Sequence, residues 1–212
     1  MLPLLSLSKK LRIAALFAAG SLATLGMHGC ATLPESAAQT QAAASAAAPS
    51  ARRESLTAIG LKPLNPDEAA GYMDRAQTEI ETLLKTTDVT VVRKDRDLIV
   101  TLPGDLSFGS GRAVIEPSLF KLLNGLSEVL DRYDSTYIDI LGHADSSGRK
   151  KDNERLSEQR ANSTAAYLVA HHLDYQRLRV AGVGSAFPLV SNNKAKGRAQ
   201  NRRVEIIIRP LT

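Results

Sequence analysis

The stretch Tyr137-Ile138-Asp139-Ile140-Leu141-Gly142-His143-Ala144-Asp145-Ser146-Ser147-Gly148 passes from a short apolar run into a polar, Gly-containing turn. It reads as a strand, Tyr137 to Leu141, ending in a loop that carries chemistry. A long helix is expected next, from Asp152 to His172, with Leu156, Ala161, Ala165 and Leu168 among its buried positions. Working backwards, Glu116-Pro117 opens the clearest amphipathic helix of the chain. Its apolar positions Leu119, Leu122, Leu123, Leu126, Leu130 and Tyr133 recur at helical spacing. Before it lie a Gly-rich loop around Phe108-Gly109-Ser110-Gly111 and two β-branched runs, Asp88 to Arg93 and Asp97 to Leu102. The polar turn Lys94-Asp95-Arg96 between the runs marks a hairpin.

Asn65-Pro66-Asp67-Glu68 announces an earlier helix, with a capping Asn, Pro at the first helical position and acidic residues in the first turn. Tyr72, Met73, Ala76, Ile80, Leu83 and Leu84 give it one apolar face. Downstream, Leu178 to Val183 is a short strand, Ser185 to Asn201 a long polar loop, and Val204 to Arg209 an alternating strand that closes the sheet. Strands alternating with helices imply an α/β sandwich, with helices packed on one face of a small mixed β-sheet. With 43% hydrophobic residues but only 4% aromatics and no Trp, the chain supports one modest core.

Several short motifs then fall in order. Gly142-His143-Ala144-Asp145 is followed by Asn153, by Leu156-Ser157-Glu158-Gln159-Arg160-Ala161, by Gly182-Val183-Gly184 and Pro188, and by Gly197-Arg198-Ala199-Gln200-Asn201-Arg202-Arg203-Val204-Glu205. Over about Asp88 to Arg209 the set closely resembles the OmpA C-terminal-like family, which includes peptidoglycan-associated lipoproteins and the C-terminal domains of OmpA-type porins and flagellar stator proteins. The layout of tether, preceding helix and hairpin is closer to the small YiaD-type lipoproteins. The resemblance implies a noncovalent clasp on the meso-diaminopimelate of peptidoglycan stem peptides, with no cofactor and no catalysis. At matching positions, Asp145 would take the ligand's ammonium and Arg160 its carboxylate.

The chemistry is coherent by itself. A diaminopimelate side chain ends in an ammonium and a carboxylate on one carbon, so its receptor needs one anion and one planar cation a few ångströms apart. A guanidinium donates two parallel hydrogen bonds to a carboxylate, which an ammonium cannot do. A strand-end Asp145 and an Arg160 on the following helix are expected to meet across the intervening turn, and Asn153 either caps that helix or closes the loop from Ser146 to Lys151. The resemblance adds Phe108 as a groove residue, although Gly109 stands where an acidic residue is frequent. It also adds one arginine of Arg202-Arg203. In an alternating strand these two point to opposite faces, so at most one, Arg202, is expected at the ligand.

The N-terminus has its own pattern. Residues 1–29 hold no acidic residue, carry Lys9, Lys10 and Arg12, and then run apolar from Ile13 to Leu25, as a secretory signal peptide does. Leu25-Gly26-Met27-His28-Gly29-Cys30 resembles a bacterial lipobox, which implies lipidation of Cys30, the only cysteine. In that resemblance an Asp after the cysteine signals inner-membrane retention, and Ala31 in its place implies the outer membrane, with the domain facing the periplasm. Residues 30–64 are expected to be a disordered tether, poor in large apolar residues. From Ala31 it comprises 34 residues, with a flexible-coil span of about 30 Å and an extended limit of about 110 Å. The expected organisation is therefore signal peptide 1–29, tether 30–64, amphipathic helix 65–87 and peptidoglycan-binding domain 88–212.

Other function classes fare worse. The net charge of +5 includes three signal-segment cations; without them 24 basic residues face 22 acidic ones, too small an excess to argue for nucleic acid. His143, Asp145 and Ser146 or Ser147 share one short turn, from which their side chains diverge, so a hydrolytic triad is not expected. His143 reads as a packed strand-end residue. His171 and His172 are adjacent on a helix, not at the i, i+4 spacing of a shared metal, and no metal site is expected. Gly182-Val183-Gly184 lacks the strand-turn-helix context of a dinucleotide fingerprint and reads as a loop. The alternative to peptidoglycan is an envelope protein partner, for which the helix from Asp67 to Lys85 is the candidate surface.

Overall fold

The structure is a computed structural model that describes residues 49–212. The expected signal peptide, the expected lipidation site Cys30 and most of the expected tether lie outside the described residues. Five strands form one sheet: β1 (Thr90–Lys94), β2 (Asp97–Pro103), β3 (Thr136–His143), β4 (Leu178–Gly184) and β5 (Arg203–Pro210). Their spatial order is β1-β2-β5-β3-β4. Every neighbouring pair is antiparallel except β3 with β4, so the sheet is mixed, as the alternation of elements implied.

The period of two decides which face is buried. Leu98, Val100 and Leu102 of β2, Ile138 and Ile140 of β3, and Val204, Ile206 and Ile208 of β5 are all 0% exposed and point to one side. Against them pack α2 (Pro66–Leu84), α4 (Phe120–Arg132) and α5 (Lys150–Ala170). In α2, Asn65 caps through its side chain to the Asp67 N–H with Pro66 at the first position, as its sequence signals. The buried face of α2 is Ala69, Met73, Ala76, Ile80 and Leu84, so its apolar stripe is spent in the core and not held out to a partner. In α5, Ala161, Ala165 and Leu168 are buried while Leu156 is only half-buried.

Three local expectations are corrected. The segment from Pro49 to Ala58, read as part of a flexible tether, is a helix, α1. Its Leu56 is 2% exposed, Arg52 donates to the Leu178 carbonyl on the edge strand β4, and Leu64 N–H donates to the Leu211 carbonyl. Gly60 ends the helix at φ +101°, with Gly60 N–H bonded to Thr57 O and Leu61 N–H to Leu56 O, the paired bonds of a Schellman motif. Composition hid this because a single well-placed leucine and two tertiary hydrogen bonds suffice to dock the segment. Next, the polar stretch before β5 holds a short helix, α6 (Ala195–Asn201), anchored by side-chain hydrogen bonds and not by apolar periodicity. Finally, Gly182-Val183-Gly184 is strand, not loop. A short helix, α3 (Gly104–Ser107), follows β2 and completes the element list relevant to the site.

Candidate functional site

Gly142 on β3 lies opposite Gly182 on β4, and both sit beneath the backbone of Ser157 and Glu158 on α5. A Cβ on either glycine would collide with that backbone, so the absence of a side chain is what lets α5 approach the sheet. Ser157 secures the contact by accepting from the Gly184 N–H at 3.0 Å. The close approach sets where Arg160, one turn further along, delivers its guanidinium.

Arg160 is 5% exposed. Its Nε donates to the Arg112 carbonyl at 2.9 Å and its Nη2 reaches the Gly109 carbonyl at 3.5 Å, while the guanidinium lies over the Phe108 ring at 5.2 Å. Phe108 itself is 1% exposed, pinned by a bridge to Ile115. Its part is to support Arg160 from below; it presents almost no surface of its own. The loop Gly109–Arg112 thus orients the guanidinium through carbonyls, and Nη1 has no partner among the described residues. Burial pulls the Arg160 pKa down, opposed by Asp105 and reinforced by Arg202.

Asp145 lies just beyond β3, 6% exposed. One carboxylate oxygen accepts from the Ser147 N–H at 2.7 Å and the other from Arg202 Nη1 at 2.6 Å. Burial alone would raise its pKa, but the bonds from Arg202 and Ser147 hold it below the usual carboxylate value. It is therefore an anion at neutral pH. Asn153 does not cap α5: its side-chain NH2 donates to the carbonyls of Asp145 and Ser147, at 3.0 and 2.8 Å, and closes the turn. A second loop is strapped to this turn. Asn192 Oδ1 accepts from Ser146 N–H and from Asn201 Nδ2, and the wholly buried Asn201 also bonds the backbone of Leu189 and Val190.

Asp145 and Arg160 do not form an ion pair with each other; the ion-pair partner of Asp145 is Arg202. Arg202 also holds Asp105 in a two-pronged bond, Nε to Oδ1 at 2.8 Å and Nη2 to Oδ2 at 2.6 Å. Both acids raise the Arg202 pKa, and Arg202 lowers that of Asp105. The alternation argument for Arg202 and Arg203 did not apply as expected, because Arg202 terminates α6 and only Arg203 belongs to β5. Their destinations still differ. Arg203 is 4% exposed and bonds Glu205 and the carbonyls of Asn201 and Phe187, a structural role.

Asp105 was missed. Sequence offers only an acidic residue after a strand, and its nearness to Arg202 follows from the pairing of Pro103 with Arg203, across a separation of about a hundred residues. His143, 3% exposed, is the packed strand-end residue expected, with Nε2 3.4 Å from Glu205. Glu205 is opposed by burial, yet contacts from His143 and Arg203 bring its pKa to about 2.

Together these residues form a four-charge cluster, Asp105, Asp145, Arg160 and Arg202, rimmed by two loops whose backbones are tied in place. Its acids and cations suit a ligand bearing both charges; no nucleophile and base are paired in it.

Comparison with known proteins agrees with the fold. The chain is 39% identical over 140 residues to the probable lipoprotein YiaD of Escherichia coli, covering 66% of this chain and 64% of that protein. It is 36% identical over 105 residues to the peptidoglycan-binding protein ArfA of Mycobacterium tuberculosis, covering 50% of this chain and 32% of the relative. The chain thus spans from about one-third to just under two-thirds of the length of these relatives. Among solved structures, the cell wall anchor of the type VI secretion system of Pseudomonas aeruginosa superposes with a TM-score of 0.56 at 29% identity, covering 62% of this chain and 96% of that one. A MotB-like protein of Desulfovibrio vulgaris, at 24% identity, shares the fold with a TM-score of 0.61 over 68% of this chain and 94% of its own. Residues 107–202, which contain Phe108, Asp145, Asn153, Arg160 and Arg202, match the OmpA family.

Proposed function

We propose that the chain binds peptidoglycan noncovalently through the meso-diaminopimelate of its stem peptides. The observation that carries the reading is the Arg160 guanidinium, oriented by the Gly109 and Arg112 carbonyls with Nη1 unspent, in one charge cluster with an Asp145 held ionised at the end of β3. Asp145 receives the ligand ammonium and Arg160 its carboxylate, and the amide N–H groups of the Asp145 turn stay fixed by Asn153. That ArfA is a peptidoglycan-binding protein and the secretion-system neighbour a cell wall anchor supports the peptidoglycan part of this reading.

The wider role follows from the N-terminus. Lipidation of Cys30 would place one end in the outer membrane and the domain in the periplasm, so that the protein tethers membrane to wall. The lipoprotein name of YiaD supports that reading. The docked α1 shortens the reach, since a free tether would then stop before Pro49.

A muropeptide pull-down with the full-length protein tests the clasp. Wild type should retain diaminopimelate-containing fragments, and Asp145→Ala and Arg160→Ala should each lose at least about 2 kcal/mol, more than tenfold in affinity. Undiminished binding by both variants would refute the assignment. For the anchor, incorporation of radioactive fatty acid that survives Cys30→Ser would refute lipidation at that residue.

A further inference from the structure

We propose that Asp105 sets the strength of the ammonium site, by neutralising the Arg202 guanidinium that already lies against Asp145. The inference rests on the clasp reading and concerns a residue to which that reading assigns nothing. Arg202 Nη1 is 2.6 Å from Asp145 Oδ2, so a ligand ammonium brought to Asp145 meets a resident cation on the same carboxylate. A carboxylate accepts about four hydrogen bonds, and Asp145 uses one for Arg202 and one for Ser147 N–H, so acceptor capacity for the ammonium remains. What must be overcome is charge.

Asp105 supplies the counter-charge. It takes the other two donor directions of Arg202, Nε and Nη2, and turns the guanidinium so that only Nη1 faces Asp145. With Asp105 present, two acids and two arginines leave the cluster neutral, matched to a ligand head that is itself zwitterionic. Without it the cluster is cationic, Arg202 is free to engage Asp145 with both terminal nitrogens, and the ammonium is opposed twice, by repulsion and by competition. Asp105 is half-exposed and sits on the short α3, so it holds no core in place and acts through Arg202 as a positioning residue.

The test measures affinity of the full-length protein for a soluble disaccharide-tripeptide ending in meso-diaminopimelate, and for the same fragment with its free amine acetylated. Asp105→Asn should weaken the first by roughly three- to tenfold at low salt while leaving the melting temperature unchanged, and Asp105→Glu should bind nearly as wild type. The double variant Asp105→Asn, Arg202→Gln should recover most of the loss, because the competing cation is gone. The acetylated fragment, having no ammonium, should bind Asp105→Asn and wild type alike. Wild-type affinity in Asp105→Asn, or a double variant as weak as the single one, overturns the proposal while the clasp stands. If wild type does not bind the fragment, or Asp145→Ala binds it equally, the clasp itself fails and the role of Asp105 with it.

Discussion

Gly142 and Gly182 face each other across the parallel β3–β4 pair, directly beneath the Ser157–Glu158 peptide of α5. This pairing fixes the height of the helix above the sheet and, through it, the position of Arg160. Gly182→Ala would drive a methyl into the Glu158 backbone, where no flexible side chain can yield. The expected cost is about 1 to 3 kcal/mol of stability from overpacking, read by urea unfolding. Binding of the diaminopimelate fragment should fall as well, under conditions where the variant is fully folded. A variant as stable as wild type with intact binding would show that α5 is not seated by this contact.

Arg177 and the carbonyls beneath α4 give a second expectation. The Arg177 side chain, 3% exposed, donates Nε to Thr136 O, Nη1 to Leu130 O and Nη2 to Tyr133 O, all at 2.8 to 2.9 Å. Burial lowers its pKa, and the carbonyls compensate the charge. Arg177→Met would strip this donor from the Leu130 and Thr136 carbonyls, while Tyr133 O keeps its bond from the Thr136 hydroxyl, a loss of about 2 kcal/mol or more. Thermal unfolding measures it, and a change under about 1 kcal/mol would contradict the account.

Glu205 predicts a pH dependence with a definite sign. Its folded-state pKa, about 2, lies below its ordinary value of 4.5, so the stabilisation it provides is fully present above pH 4.5 and disappears as pH falls towards 2. A shift of that size corresponds to about 3 kcal/mol. Glu205→Gln should therefore be less stable than wild type by that order at pH 7, with the gap closing near pH 2. A gap that stays constant across chemical unfolding curves from pH 7 to pH 2 would count against the charge as its origin.

Leu56→Ala tests the docking of α1. Removing a leucine that is 2% exposed should cost about 2 to 4 kcal/mol of local stability if the helix is held by that side chain. Hydrogen exchange of the amides from Arg52 to Ala58 should then speed up, with that of β3 and β5 little changed. Equal exchange in variant and wild type would mean that Leu56 is not what holds the helix.

Much of the fold was readable because its rules are local. The capping Asn65-Pro66, the period of α4 and the alternation of β5 each need only neighbouring residues, and the structure reproduces them within a residue or two. The failures had a common origin. The helix at Pro49–Ala58 depends on a strand edge contributed by Leu178, and α6 depends on Asn201 binding the loop that Leu189 and Val190 begin. Neither dependence leaves a periodic trace.

The site divides the same way. Asp145, Arg160 and Asn153 were legible through the resemblance of the motifs that carry them, and they lie in succession in one unit, Asp145 just after β3 and the other two on α5. The sequence by itself also determined that the sheet is mixed and that helices cover one face of it. Only the tertiary structure decided the partners: Arg202 rather than Arg160 on Asp145, Phe108 beneath the guanidinium, and Asp105 on Arg202. The physical reason is that strand register brings Asp105 and Arg202 together across the antiparallel β2–β5 pair, and register is set by packing of the whole buried face, not by any residue near the charges.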